Sequence, residues 1–423
     1  MRSRNADDPS RLSFWLRVRE FAVPPSMIES ATARRTDGDW SAACAAARVD
    51  VDLNLRALAR THGAELAARI RADLRHLAPD LLRWHLPRIA PDGLLRPGVT
   101  ISLARYAGSD VHLVVRTPPA WADGGQRCSL ALWHRSDPGG GRPDRRFRLD
   151  LHRHLWDARR AGDLGTRSAV PGGAVDRWGA EAAILLRSQG QADGAVTVRF
   201  GGRRGLILEL AGATVRIVPG PVRGRAAALP VLPDAATWVL PDLALLRAGL
   251  IEPDRLHPLV AAALAPDHPA GSGPPSPPGT GPHLVECRGA THRLGLVDGV
   301  LAPLDHDPDE LRREGLLVAL TGTPLPCLQA IDAAHRGPEE LAEVRARLDH
   351  GDAAGALAIV EALLGPDALL RSGGIREELE TAVLRRVTHG LYRAGLAGRG
   401  PLSDKPQRRR PDRGRPRRAG ASR

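Results

Sequence analysis

Lysine is all but missing from this chain: of its sixty basic side chains, only Lys405 is a lysine. Phenylalanine (four) and tyrosine (two) are scarce as well, whereas Arg, Ala, Gly and Pro are plentiful. The favoured residues use G- and C-rich codons, so the bias describes a genome's base composition before it describes a partner. With the one lysine in the tail there is no GxxxxGK[ST] loop, which excludes a P-loop ATPase of the usual motif. A GxSxG nucleophile elbow is missing too. Gly201-Gly202-Arg203-Arg204-Gly205 lies between two expected strands, so its glycines read as a hairpin turn and not as a phosphate cradle. Only four cysteines are present, Cys44, Cys128, Cys287 and Cys327, far apart and without a CxxC pair. That spacing argues against a disulfide scaffold and predicts a reducing compartment, the cytoplasm. No stretch approaches the ~20 uninterrupted apolar residues that a spanning helix requires, so no membrane association is expected. Arg17, Arg19 and Glu20 interrupt the first apolar stretch, and no signal-peptide core is expected there.

What is present is charge, unevenly distributed. The formal net charge is +12, and residues 403–423 alone contribute +7, leaving +5 for the other 402 residues. A nucleic-acid-binding domain normally carries its basic stripe on a folded surface, and this body is close to balanced for its size. The tail is the exception. Arg408, Arg409, Arg410, Arg413, Arg415, Arg417 and Arg418 are each able to contact a phosphate, giving affinity that is independent of sequence and falls steeply with salt. A solvated tail lengthened by codon usage is the alternative.

The patterning predicts an α+β, multi-domain protein. Residues 1–95 read as a helical domain: Pro24-Pro25-Ser26 starts a helix, Asp39 caps the next, and 53–77 carries helical spacing broken only by Gly63. Residues 96–265 read as a β-rich domain, because the period changes to two from Val99 onward and turn residues punctuate the runs. Its expected strands include 147–151, with an inserted helix at 175–188 and trailing helices up to 265. Residues 266–283 are nearly all Pro, Gly, Ser and Ala and read as a linker. Residues 284–398 read as a β-hairpin followed by helices, and 399–423 as a disordered basic tail. Two helix starts resemble each other, Asp37-Gly38-Asp39-Trp40 and His350-Gly351-Asp352-Ala353; without a period between them they read as two ordinary capped helices.

Two places hold candidate chemistry. On a strand through Asp150-Leu151-His152-Arg153-His154, alternation puts His152 and His154 on one face, where two imidazoles are able to share a metal ion. The same alternation also describes the polar face of a half-buried strand. Beyond the linker, Cys287 and His292 are expected to be cross-strand neighbours. With Asp305 to orient the ring they make a candidate nucleophile, base and carboxylate. Equally, Cys287, His292, His306 and Cys327 form a Cys2His2 set for zinc. Buried cysteine as a plain packing residue is the third reading, favoured by the apolar run Pro324-Leu325-Pro326-Cys327-Leu328.

No reactive cluster is specific enough to name a reaction. The expectation is a cytoplasmic, non-catalytic protein-interaction or regulatory module. Two alternatives are a nucleic-acid-associated protein anchored by its Arg-rich tail, and a metal- or Cys/His-dependent enzyme centred on residues 287–307.

Overall fold

The computed structural model describes residues 9–136, 141–168, 174–200, 205–212, 214–219, 228–268, 283–287, 289–297, 300–321, 325–336, 340–365, 367 and 369–396. Three apolar cores organise them, and the fold is mixed α and β with a helical N-terminal region and a sheet-rich middle.

The first core begins in the helices α1 (Pro9–Arg17), α2 (Pro25–Thr36), α3 (Trp40–Ala46), α4 (Leu55–His62), α5 (Ala64–Arg75) and α6 (Pro79–His85). Local chemistry sets their limits. Pro25 occupies the first turn of α2, where its missing N–H is no loss. The Asp39 carboxylate accepts from the Ala42 N–H at 2.9 Å to start α3. Asn54 caps α4, and Gly63, at φ +91°, divides the expected 53–77 helix into α4 and α5. Every residue of α6 is buried, so this helix runs through the core instead of lying on it.

Against these helices packs a sheet of β1 (Val49–Asp52), β2 (Thr100–Arg105), β3 (Val111–Arg116) and β4 (Cys128–His134), in the order β1-β4-β3-β2. The β2–β3–β4 meander is antiparallel, as its alternation predicts. Strand β1 runs parallel to β4, with Val49 opposite Cys128. Helices and sheet share one core, from Leu12 to Leu164, which also takes in Leu240, Leu245, Leu256 and Val260. The expected boundary near residue 95 is therefore crossed by continuous packing. The late helices α8 (Pro241–Arg247) and α9 (Pro258–Leu264), which follow α7 (Trp178–Arg187), return to the same core.

One sequence expectation is overturned here. Residues 147–151 form no strand; Leu149–Leu151 and Arg153–Leu155 are successive 3-10 turns. Their i to i+3 bonds run from His152 N–H to the Leu149 carbonyl at 3.0 Å and from Trp156 N–H to the Arg153 carbonyl at 3.0 Å. Alternating hydropathy is satisfied here by turns that bury Leu149, His152, His154 and Leu155 together.

The second core joins α7 to an antiparallel sheet of β5 (Gly194–Arg199), β6 (Gly205–Ala211) and β7 (Thr214–Pro219). Arg199 pairs with Gly205 across the expected hairpin, whose residues 201–204 lie outside the described residues. The chain leaves the first core to form this unit and then comes back. Arg177 ties the two connections together, donating to the Arg167 carbonyl on one and to the Trp238 carbonyl, at 2.7 Å, on the other.

The third core is built by β8 (His283–Cys287), β9 (Ala290–Val297) and β10 (Val300–Pro303) with α11 (Pro326–Arg336), α12 (Leu341–Asp349), α13 (Ala353–Leu364) and α14 (Gly374–Arg393), after α10 (Pro308–Thr321). Helix α11 is an addition to the expected elements. Its first residue is Pro326, a position where proline promotes a helix instead of breaking it. Asp352 caps α13 by accepting from the Gly355 N–H at 3.2 Å, so both Gly-Asp starts are ordinary capped helices.

The third core docks on the first through close backbone contact. Gly351 and Gly125, both at φ +80°, face each other so tightly that a Cβ on Gly351 would lie 2.0 Å from the Gly125 carbonyl oxygen. Beside them His350 is buried, with Nε2 2.9 Å from the Asp92 carbonyl and its ring stacked 6.0 Å from Phe21. His389 of α14 is wedged against Gly124, with Nδ1 2.9 Å from the Ala122 carbonyl and Nε2 3.3 Å from Asp50. Among the described residues no helix is long and apolar enough to cross a membrane. Most of the expected linker, residues 269–282, and the tail from residue 397, including Arg408, Arg409, Arg410, Arg413, Arg415, Arg417 and Arg418, lie outside the described residues.

Candidate metal centre

Cys287, His306 and Cys327 come together from three different elements. Cys287 ends β8, His306 lies between β10 and α10, and Cys327 is the second residue of α11. One donor atom from each lies within 4.8 Å of the other two, the only such trio of His, Cys or acidic donors among the described residues. The two thiol residues are 1% and 0% exposed and the His306 side chain 3%.

Each member of the Asp305-His306-Asp307 run has its own task. Asp307 caps the start of α10, accepting from the Asp309 N–H at 3.0 Å. Asp305 accepts from Arg293, at 2.7 Å from the backbone N–H and 2.9 Å from Nη2, and those bonds hold its carboxyl down to about 2. His306 alone turns inward. Its Nδ1 is 3.5 Å from Glu310 Oε2, one helical turn on, and its Nε2 is buried with no hydrogen-bond partner. A carboxylate on Nδ1 fixes the tautomer that leaves the Nε2 lone pair free, the usual support of a metal-bound histidine.

His292 is on the same sheet face as Cys287, though not directly opposite. Cys287 pairs with Ala290 and His292 with Val285, so the two expected cross-strand neighbours are offset from each other. The His292 ring lies flat on that of His306, with centroids 4.2 Å apart and planes 12° from parallel, and its Nδ1 is buried without a partner. His292 stands outside the converging trio.

The donor set fits zinc. Tetrahedral zinc with Zn–S bonds of roughly 2.3 Å and Zn–N bonds of roughly 2.0 Å holds its ligands about 3.5 Å apart, within the 4.8 Å that bounds the separations of these donors. The arrangement is poor for nucleophilic catalysis. Burial, with the neighbouring Cys287 thiol adding to it, pushes the Cys327 thiol up to about 11. A reactive cysteine needs the opposite, a lowered pKa and access. Nor does Asp305 orient the His292 ring, since both of its oxygens are held by Arg293.

His152 and His154 are buried neighbours with ring centroids 5.8 Å apart, but in an ion network and not on a wet strand face. His152 Nε2 is 3.1 Å from Glu181 Oε2, Arg167 grips the same carboxylate, and Asp150 is paired with Arg148 at 2.7 Å. Burial alone would raise the Glu181 carboxyl; His152 and Arg167 outweigh it and hold it at about 2. His154 is pushed well below its ordinary value, first by burial and then by His152 and Arg167. Sequence reasoning missed Glu181, 27 residues beyond His154, and Glu310. Only Glu310 had a readable signal, its i+4 spacing from His306.

No protein-family model matches this chain, and no curated protein or solved structure gives a significant match.

Proposed function

We propose that this chain is a non-catalytic protein-interaction or regulatory module whose C-terminal unit is clamped by a structural zinc ion. The ligands are Cys287, His306 and Cys327, with His292 as the fourth after its ring turns out of the stack. The observation that carries the reading is the enclosure of the trio: two thiols shut away from solvent beside an imidazole nitrogen that is buried and unpartnered. Closed sites of this kind contribute folding energy, whereas catalytic zinc keeps an open position. A three-stranded sheet and the helices that follow it gain a cross-link among strand, loop and helix.

The partner is a protein. Val383, Leu384 and Val387 on the outer face of α14 are each more than half exposed, and Leu391 continues the row at the next turn. A row at i, i+4 and i+8 suits the apolar face of a partner's amphipathic helix laid along it. Four free buried cysteines accord with a reducing cytoplasm.

Elemental analysis of the purified full chain tests the zinc: one equivalent is expected, lost in Cys287→Ser and Cys327→Ser and kept in Cys44→Ser. A fully folded, zinc-free protein from metal-replete cells overturns it. Val387→Asp is expected to abolish partner association with zinc content unchanged.

A further inference from the structure

Where the third core meets the first, a cavity of about 150 Å³ is walled by Arg48 and Arg127 on one side and Arg385 and Arg386 on the other. Gly124, Gly125, Gly351, Leu348, Ala353 and Ala382 complete the wall, and no carboxylate residue lines it. The counter-charges sit behind. Asp50 is gripped by Arg127 and lies 3.2 Å from Arg393, Asp349 is bonded by Arg385, and Asp352 faces Arg347 at 3.0 Å. Arg386 has no ion-pair or hydrogen-bond partner among the described residues.

The ground behind the cavity is more positive still. Arg83 is wholly buried, donates to the carbonyls of Ala22 and Gln126, and leaves Nη2 unpartnered. Arg88 donates to the carbonyls of Gly93 and Arg83, with its buried Nε unpartnered. Among the described residues Arg48, Arg83 and Arg88 share one ion pair, Arg48 to Asp352 at 3.6 Å. Burial, followed by Arg83, pushes the Arg48 guanidinium down to about 9. Buried positive charge without a matching carboxylate is a costly arrangement. Arg48 also holds φ at +57°, a conformation a side-chain-bearing residue adopts only where its surroundings impose it.

We infer that this cavity is a binding site for a phosphate or diphosphate group, held by Arg48, Arg127, Arg385 and Arg386 at the junction of the first and third cores. Guanidinium forks match phosphate oxygens two at a time, and glycine walls let the anion approach the backbone closely. The volume lies below the roughly 300–1,000 Å³ of pockets that enclose drug-sized ligands, so the phosphate end of a ligand is what enters. Because both cores supply arginines, the bound anion also fastens one to the other.

The experiment is calorimetric titration of the full chain with pyrophosphate, inorganic phosphate and sulfate at fixed ionic strength. Saturable binding of pyrophosphate is expected, tighter than that of sulfate. Arg386→Gln removes a group with no partner among the described residues, so folding is unaffected while affinity falls on the order of tenfold, the scale of one charge-assisted hydrogen bond. Arg216→Gln, on the exposed strand β7, leaves affinity unchanged, as does truncation after Leu402, which removes the basic tail. Absence of saturable binding, equal affinity for sulfate, unaltered affinity in Arg386→Gln, or loss on removing the tail would each overturn the assignment.

Discussion

Two glycines in matching positions make a controlled test of how the third core docks. Gly38 and Gly351 precede the capping aspartates of α3 and α13, at φ +79° and +80°. A Cβ on Gly38 would meet nothing within 4 Å, whereas one on Gly351 would lie 2.0 Å from the Gly125 carbonyl oxygen and 2.8 Å from its carbon. Gly38→Ala therefore carries only the left-handed backbone penalty, about 1–2 kcal/mol. Gly351→Ala carries that penalty and must also displace backbone from backbone, adding about 1–3 kcal/mol as at other overpacked sites, for a total of about 2–5 kcal/mol. A chain with three cores is not expected to unfold in one step, so amide hydrogen exchange read segment by segment is the suitable assay. Gly351→Ala should lose protection in α12, α13 and residues 118–127 together, while Gly38→Ala loosens α3 alone. Equal, purely local effects in the two variants would refute the idea that Gly125–Gly351 contact holds the cores together.

Three further expectations concern titration, thiols and the tail. Burial, followed by the charges of Arg88, Arg83 and Arg17, pushes the His350 imidazole from its ordinary 6.5 to about 3, against the opposing bond to the Asp92 carbonyl. The undocked state then binds more protons below pH 6.5, so docking is at full strength above that value and weakens as pH falls toward 3, by at most about 1.4 kcal/mol per pH unit. His350→Gln should flatten this dependence in melting temperature between about pH 7 and 5. All four cysteines are buried, and burial pushes Cys44 to about 12, so a thiol reagent should label the native protein slowly and the denatured protein at every site. Truncation after Leu402 should abolish any salt-sensitive nucleic-acid binding, and binding that survives the cut would assign it to the folded body.

How far these features were legible depends on how local their causes are. The caps at Asp39 and Asp352, the start of α2 at Pro25 and the β8–β9 hairpin are decided within a few residues, and the sequence reading anticipated them. Strand β1 is only Val-Asp-Val-Asp and draws its stability from a parallel partner beginning 79 residues later at Cys128, so nothing local announces it. Residues 147–155 alternate like a strand, yet they pack against the sheet as turns and pair with it only through the isolated bridge from Ser102 to Arg148. At the candidate metal centre the sequence offers Cys287, His292, His306 and Cys327 as one set, of which the fold brings donor atoms of Cys287, His306 and Cys327 within 4.8 Å of one another. Their unequal placement was not visible, because it depends on a strand register that sets His292 opposite Val285 and on the stacking of His292 on His306. The arginine cavity gave no signal at all: its walls come from stretches more than two hundred residues apart.

The detour of the chain through the second core has a mechanical side. A unit attached by one connection can swivel in any direction, whereas a unit attached by two can turn only about the line that joins them. Arg177 shortens that line by bonding to both connections, at Arg167 and Trp238. Glu181 of α7, held by His152 and Arg167, is a third attachment away from that line, so the sheet β5–β7 is fixed to the first core and has no free axis to turn about.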